Sequence, residues 1–177
     1  MRKRTFFIVI FLLILLVLLV MPNTYNSNKA NKNYVSIIDN QELVIDNILP
    51  LSDEVGSNSS KSNAMANIYY KFKIKSNYSK KAHYKILLET KKGKNFIDDR
   101  YIKILLSDKD DNLFKEYKTD SVKVITGLNK YKSKYVVHSS SLKDKGEEEF
   151  ILRMWISDAS SYDDELMFDG KLSVDSY

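Results

Sequence analysis

Ile68, Tyr69, Tyr70, Lys71, Phe72, Lys73, Ile74 and Lys75 decide the fold class. Ile68, Tyr70, Phe72 and Ile74 fall on one side of an extended chain and Tyr69, Lys71, Lys73 and Lys75 on the other. A strand with one buried face requires this period of two. The same beat recurs in both directions. Ala82, Tyr84, Ile86 and Leu88 alternate with His83, Lys85 and Glu89; Ile102, Ile104 and Leu106 alternate with Tyr101 and Lys103; Val122 and Val124 flank Lys123. Phe150, Leu152, Met154 and Ile156 share a face, as do Leu166, Phe168, Leu172 and Val174, with Gly170 read as a bulge. Earlier strands are read at Val35 to Ile38 and Leu43 to Asn47. Turn signals at Lys91 to Lys94, Ser107 to Asn112, Gly127 to Asn129 and Asp144 to Gly146 separate the runs. Asn112 to Lys118 offers a turn or two of helix, and no repeat of fixed period is present. The expectation is an all-β antiparallel sandwich of about eight or nine strands.

Ahead of this domain the chain is of another character. Phe6 to Met21 are sixteen apolar residues in succession, and Thr5 and Pro22 extend the stretch to about 18, near the lower limit for a bilayer span. Arg2, Lys3 and Arg4 precede the run and no cation follows it directly, which sets the N-terminus in the cytoplasm. Only Ala30 offers a small residue for a signal-peptidase cut, so the reading is an uncleaved anchor with Phe6, Ile10, Leu13, Val17 and Met21 among its membrane-anchor residues. Asn23 to Asn33 are rich in Asn, Ser and Lys and read as a flexible stalk of at most ~36 Å. The expected organisation is a cytoplasmic N-terminus (1–4), a single transmembrane signal anchor (5–22), a polar stalk (23–33) and an extracellular β-sandwich (34–177). A second polar stretch, Ser52 to Asn67, reads as a long mobile loop.

Composition narrows the class further. With the three N-terminal cations set aside, 25 of the 28 Lys and Arg remain against 23 Asp and Glu, no signature of a nucleic-acid binder. The absence of cysteine excludes a disulfide framework and a thiolate metal site, so the domain stands on core packing.

Phe150 to Ser157, which reads FILRMWIS, followed by Phe168 to Val174, which reads FDGKLSV, resembles the ending of small exported Bacillota cell-surface proteins, in which LRxWI precedes FxGKxxV. Tyr101 to Asp108, Ser52 to Gly56 and Ile68 to Ser76 are similar to other passages of that group. Its better known members are camelysin and TasA-type matrix proteins. The resemblance implies a jelly-roll-like sandwich and a surface or matrix role, with assembly by lending an N-terminal strand to a neighbour. Camelysin-like proteins are linked to metallopeptidase activity, but no His-Glu-x-x-His occurs here and no catalytic residue is carried over.

The residues themselves offer little chemistry. His83 and His138 read as exposed strand histidines, since a zinc site needs both together with carboxylates. No Gly-x-Ser-x-Gly elbow is present. Asp108, Asp110, Asp111 and Asn112 are weak calcium candidates, because hard cations take several oxygens from one loop; Leu113 and Thr119 break the EF-hand pattern, and a solvated turn is the simpler reading. Asp158, Asp163, Asp164 and Glu165 form a second acidic loop, and the pair Asp98 and Asp99 has no partner legible from spacing. Lys71, Lys73 and Lys75, with Lys80, Lys81 and Lys85, make either a solvated strand face or a cationic face for an anionic wall polymer. Trp155 reads as a core residue. The expected function is non-enzymatic and needs no cofactor: a tethered surface protein in contact with the lipid bilayer, acting in adhesion, interaction or homotypic assembly. An accessory subunit of a membrane complex and a hydrolase or metal-dependent enzyme are the competing readings.

Overall fold

The computed structural model describes residues 34–38, 42–45, 49–60, 69–93, 95–119, 122–160 and 167–177. The anchor residues Phe6 to Met21, the topology residues Arg2, Lys3 and Arg4, and the stalk lie outside them. No helix among the described residues is long and apolar enough to cross a membrane.

Ten strands follow one another along the described chain: β1 (Val35–Ile38), β2 (Glu42–Ile45), β3 (Tyr69–Ser76), β4 (Ala82–Thr90), β5 (Ile102–Asp108), β6 (Lys123–Val124), β7 (Lys130–Tyr131), β8 (Lys134–Leu142), β9 (Glu147–Ile156) and β10 (Phe168–Ser176). They form two antiparallel sheets of five, in the orders β1-β3-β9-β5-β6 and β2-β10-β4-β8-β7. The all-β antiparallel expectation therefore holds. From β1 to β5 successive strands alternate between sheets, so most connections cross from one layer to the other. The long-range pairs are nested: β5 with β6, β4 with β8, β3 with β9 and β2 with β10. Two further pairs, β5 with β9 and β4 with β10, knit the nested hairpins into sheets.

The faces read from alternation are those that are buried. Tyr70, Phe72 and Ile74 on β3, Ile102, Ile104 and Leu106 on β5, and Phe150, Leu152, Met154 and Ile156 on β9 join Tyr84, Ile86 and Leu88 on β4 and Phe168 and Leu172 on β10 in one core. Each side chain of this size contributes about 1.5–3 kcal/mol when fully buried.

β9 goes beyond that pattern. Its outward residues Ile151, Arg153 and Trp155 are buried as well. A strand central to its sheet can be apolar on both faces only if something covers the second one. The segment Leu51 to Ser60 supplies that cover. Leu51 N–H donates to the Ile156 carbonyl at 2.8 Å, and Asp158 N–H donates to the Leu51 carbonyl at 3.1 Å. A short helix α1 (Asp53–Ser57) follows, with Ser52 at its N-cap. Gly56 of α1 lies flat on the Trp155 indole, where a Cβ would come within 2.3 Å of a ring carbon. The stretch read as a mobile loop thus contains an ordered, packed helix, and its residues 61–67 lie outside the described ones.

One local expectation is corrected and another is met. Gly170 is no bulge, since the β10 register with β2 runs unbroken through it and the register with β4 begins at it. Its missing side chain makes room for the Phe168 ring, which would stand 2.8 Å from a Cβ. The register shift lies between Ile86 and Leu87, opposite β8. The helical turn expected in Asn112 to Lys118 is α2 (Lys115–Thr119).

We expect Gly56→Ala to cost about 1–3 kcal/mol, because helix and indole must separate to admit a methyl group. Urea unfolding followed by the emission of Trp155, the single tryptophan, measures it. Unchanged stability and an unshifted emission maximum would show that α1 does not seal β9.

Candidate functional site

The end of β5 and the loop after it contain the four candidate cation ligands, and the structure gives each of the three carboxylates another partner. Asp108 accepts from its own loop, from the N–H of Asp110 at 3.0 Å and of Asn112 at 2.8 Å. Those bonds, led by the Asn112 N–H, hold its carboxyl below the usual range. The Asn112 side-chain amide donates to the same carboxylate at 3.1 Å. Asp110 pairs with Lys109. Asp111, held at φ 66°, turns to Arg153. Among the described residues no group of three or more His, Asp or Glu is arranged to hold a metal ion.

Arg153 is the more consequential member of this region. It projects from the covered face of β9 at 5% exposure, where an unpaired charge would cost several kcal/mol. Its guanidinium meets Asp111 in a two-point pair at 2.8 and 2.6 Å, and its Nε donates to the Ser59 carbonyl at 2.8 Å. Ser107 donates to Asp111 at 2.7 Å. Burial alone would raise the Asp111 carboxyl; the bonds from Arg153 and Ser107 outweigh it and leave the group below its ordinary value. One side chain thereby ties β9, the β5 loop and the segment following α1.

Between the sheets a second polar group gathers at one end. The Tyr84 hydroxyl, from β4, crosses to Glu148 on β9. Burial first, and Glu148 second, push its phenol far above the normal range. His138 on β8 is buried, not exposed as read, and its Nδ1 pairs with Glu116 of α2. The Phe114 ring lies 4.3 Å from the imidazole and that of Phe150 5.8 Å. Phe114 and Phe150 also line a cleft of about 320 Å3 with Asp108, Asp110 and Glu147 to Glu149. His83 points out of the same sheet and stacks on Tyr177. The two histidines therefore lie on opposite faces and cannot share one ion.

At Asp99 the same device recurs. The Tyr135 hydroxyl, from β8, donates to its buried carboxylate at 2.6 Å, and Lys92 donates at 2.7 Å. Burial and Asp99 push the Tyr135 phenol up to about 12. Asp98 caps the 3-10 turn that follows, accepting from the Arg100 N–H at 2.9 Å. The acid pair is thus divided, one member structural and buried, the other a cap.

Two members of the lysine row are met by acids, while Lys71 stands opposite Ile151. Lys75 stands opposite Glu147, 2.6 Å away, and Lys73 opposite Glu149. Asp163, Asp164 and Glu165 lie outside the described residues. Sequence reasoning missed Glu116, Glu148 and Tyr84 as one group, because two of them meet only across the gap between sheets. It passed over Arg153 as well, although a lone cation in an otherwise apolar run was a visible signal. Comparisons with protein-family models, with curated proteins and with solved structures return no match.

Asp111 makes stability depend on acid. Its folded-state carboxyl sits below the unfolded value of 3.8, so its contribution is complete well above that pH and is lost as pH falls through the lower, folded value. We expect Asp111→Asn to destabilise by about 1–2 kcal/mol at neutral pH, since it leaves the buried Arg153 charge with a weaker partner while water at the half-exposed Asp111 side screens part of the loss. The difference from the parent chain should shrink between pH 5 and the acid limit, at about pH 2. Denaturant melts across that range decide it: a difference independent of pH would mean the pair is not the source.

Proposed function

We propose that the chain is a membrane-anchored extracytoplasmic β-sandwich that acts through its surface and performs no catalysis. The observation that carries this reading is the use made of the interior ionisable groups. Arg153 with Asp111, Tyr84 with Glu148, Tyr135 with Asp99 and His138 with Glu116 each pair with another group of the protein itself. Catalytic groups are held ready for a substrate; these are spent on holding strands, loops and sheets together. The anchor rests on the sixteen apolar residues and on the three cations before them.

The nested pairing supports a jelly-roll reading. A long hairpin rolled into two sheets gives four nested pairs and two further contacts between rolled turns, the pattern of β2 to β6 with β8 to β10. β1 and β7 add at the margins. The facing glutamates weaken the case for an anionic wall polymer on the lysine row, so a protein partner is the favoured occupant of the surface.

The full-length chain should sediment with membranes, resist extraction by high salt and dissolve in detergent. Its C-terminus should be open to protease added to intact cells. Replacing Leu13 and Val17 together by Arg should remove it from the membrane, each charge adding about 2.5–3.5 kcal/mol to insertion. A parent chain found in the cytosol, with a protected C-terminus, would end this proposal.

A further inference from the structure

The helix that covers β9 is held down by very little of its own. α1 is five residues long, too short to keep its shape unaided, and Gly56 is its only buried residue. Its one apolar side chain, Val55, is 50% exposed, so the helix brings no greasy anchor to the sheet. Its hydrogen bonds stay within the segment. Gly56 N–H donates to the Ser52 carbonyl, the Asn58 amide to the Glu54 carbonyl and the Ser59 hydroxyl to the Gly56 carbonyl. Among the described residues one polar tie runs from α1 to the sheet, from Lys103 of β5 to Asp53 Oδ2 at 2.7 Å. Lys103 stands opposite Trp155 in the ladder.

Both partners of this contact hold a polar atom that closure leaves unmet. The Trp155 indole N–H and Asp53 Oδ1 are buried and have no hydrogen-bond partner among the described residues. Each regains a bond when it reaches water, so each favours separation of helix and sheet. The flanks are fastened better. Leu51 belongs to the core and is bridged to Ser157, and the Ser59 carbonyl accepts from Arg153 Nε at 2.8 Å.

We propose that α1 is a displaceable strap, which lifts from Trp155 while Leu51 and Ser59 hold, at a lower free energy than unfolding of the sandwich. Openings of this kind draw on segments with few buried apolar contacts. The outer face of β9 then has two states, one sealed and one that presents an indole to solvent, and the surface of the domain differs between them. This device goes beyond the surface reading above, since it needs neither an anchor nor a partner.

Trp155 is the single tryptophan, so its indole N–H gives one resonance whose hydrogen exchange NMR can follow in the full-length chain, kept in detergent micelles. After allowance for intrinsic rates, we expect it to exchange at least about 100-fold faster than the slowest amides of β4 and β9. Its rate should hold in dilute urea that accelerates those amides. Lys103→Met removes the one tie with little change of side-chain length, and should widen the ratio of indole to slow-amide rates by about threefold or more. Because the slow amides are read in the same sample, a general loss of stability is not mistaken for release of α1. An indole N–H that exchanges with the slow amides and shares their urea dependence would overturn the proposal, as would a ratio indifferent to Lys103→Met.

Discussion

The burial of β9 on both faces is the constraint from which most of this structure follows. Its inner face is filled by the facing sheet, as in any two-layer β protein. Its outer face holds Ile151, Arg153 and Trp155, and these oblige the chain to bring a covering segment across. That segment must approach an indole closely, hence Gly56 at the contact. The buried guanidinium must be neutralised, hence Asp111, in a loop whose backbone takes the left-handed conformation to present it. Packing on one strand thus dictates a helix, a glycine and a turn distant in sequence.

The gap between the sheets is managed by tyrosines. Tyr84 reaches Glu148 and Tyr135 reaches Asp99, while Tyr117, the buried residue of α2, donates to the Val137 carbonyl of β8 at 3.0 Å. In each case the ring fills apolar volume and the hydroxyl finds an acceptor beyond it, which is what a buried phenol needs. Burial is the first cause that raises all three phenols, furthest at Tyr84, so the neutral, donating form is the one the fold keeps.

Alternation made the inner faces of β3, β4, β5 and β9 legible, because one-sided burial leaves a mark with a period of two. It could not show that β9 is covered twice, for an apolar residue between apolar neighbours says nothing about which side is wet. Glycines misled in a similar way. Among the described residues none has positive φ; that conformation belongs to Asp111, Lys132, Ser133 and Lys145. Gly56 and Gly170 serve instead where an aromatic ring takes the room of a side chain. The candidate chemistry was legible as residue types, not as groupings: Tyr84 and Glu148 stand 64 positions apart, and only the topology brings them together.

The hydroxyl-to-carboxylate ties carry a consequence for where such a molecule can operate. They need no oxidant to form and no reductant can sever them, so a chain without cysteine closes by itself as soon as its strands meet. A domain fastened this way is indifferent to the redox poise of its surroundings.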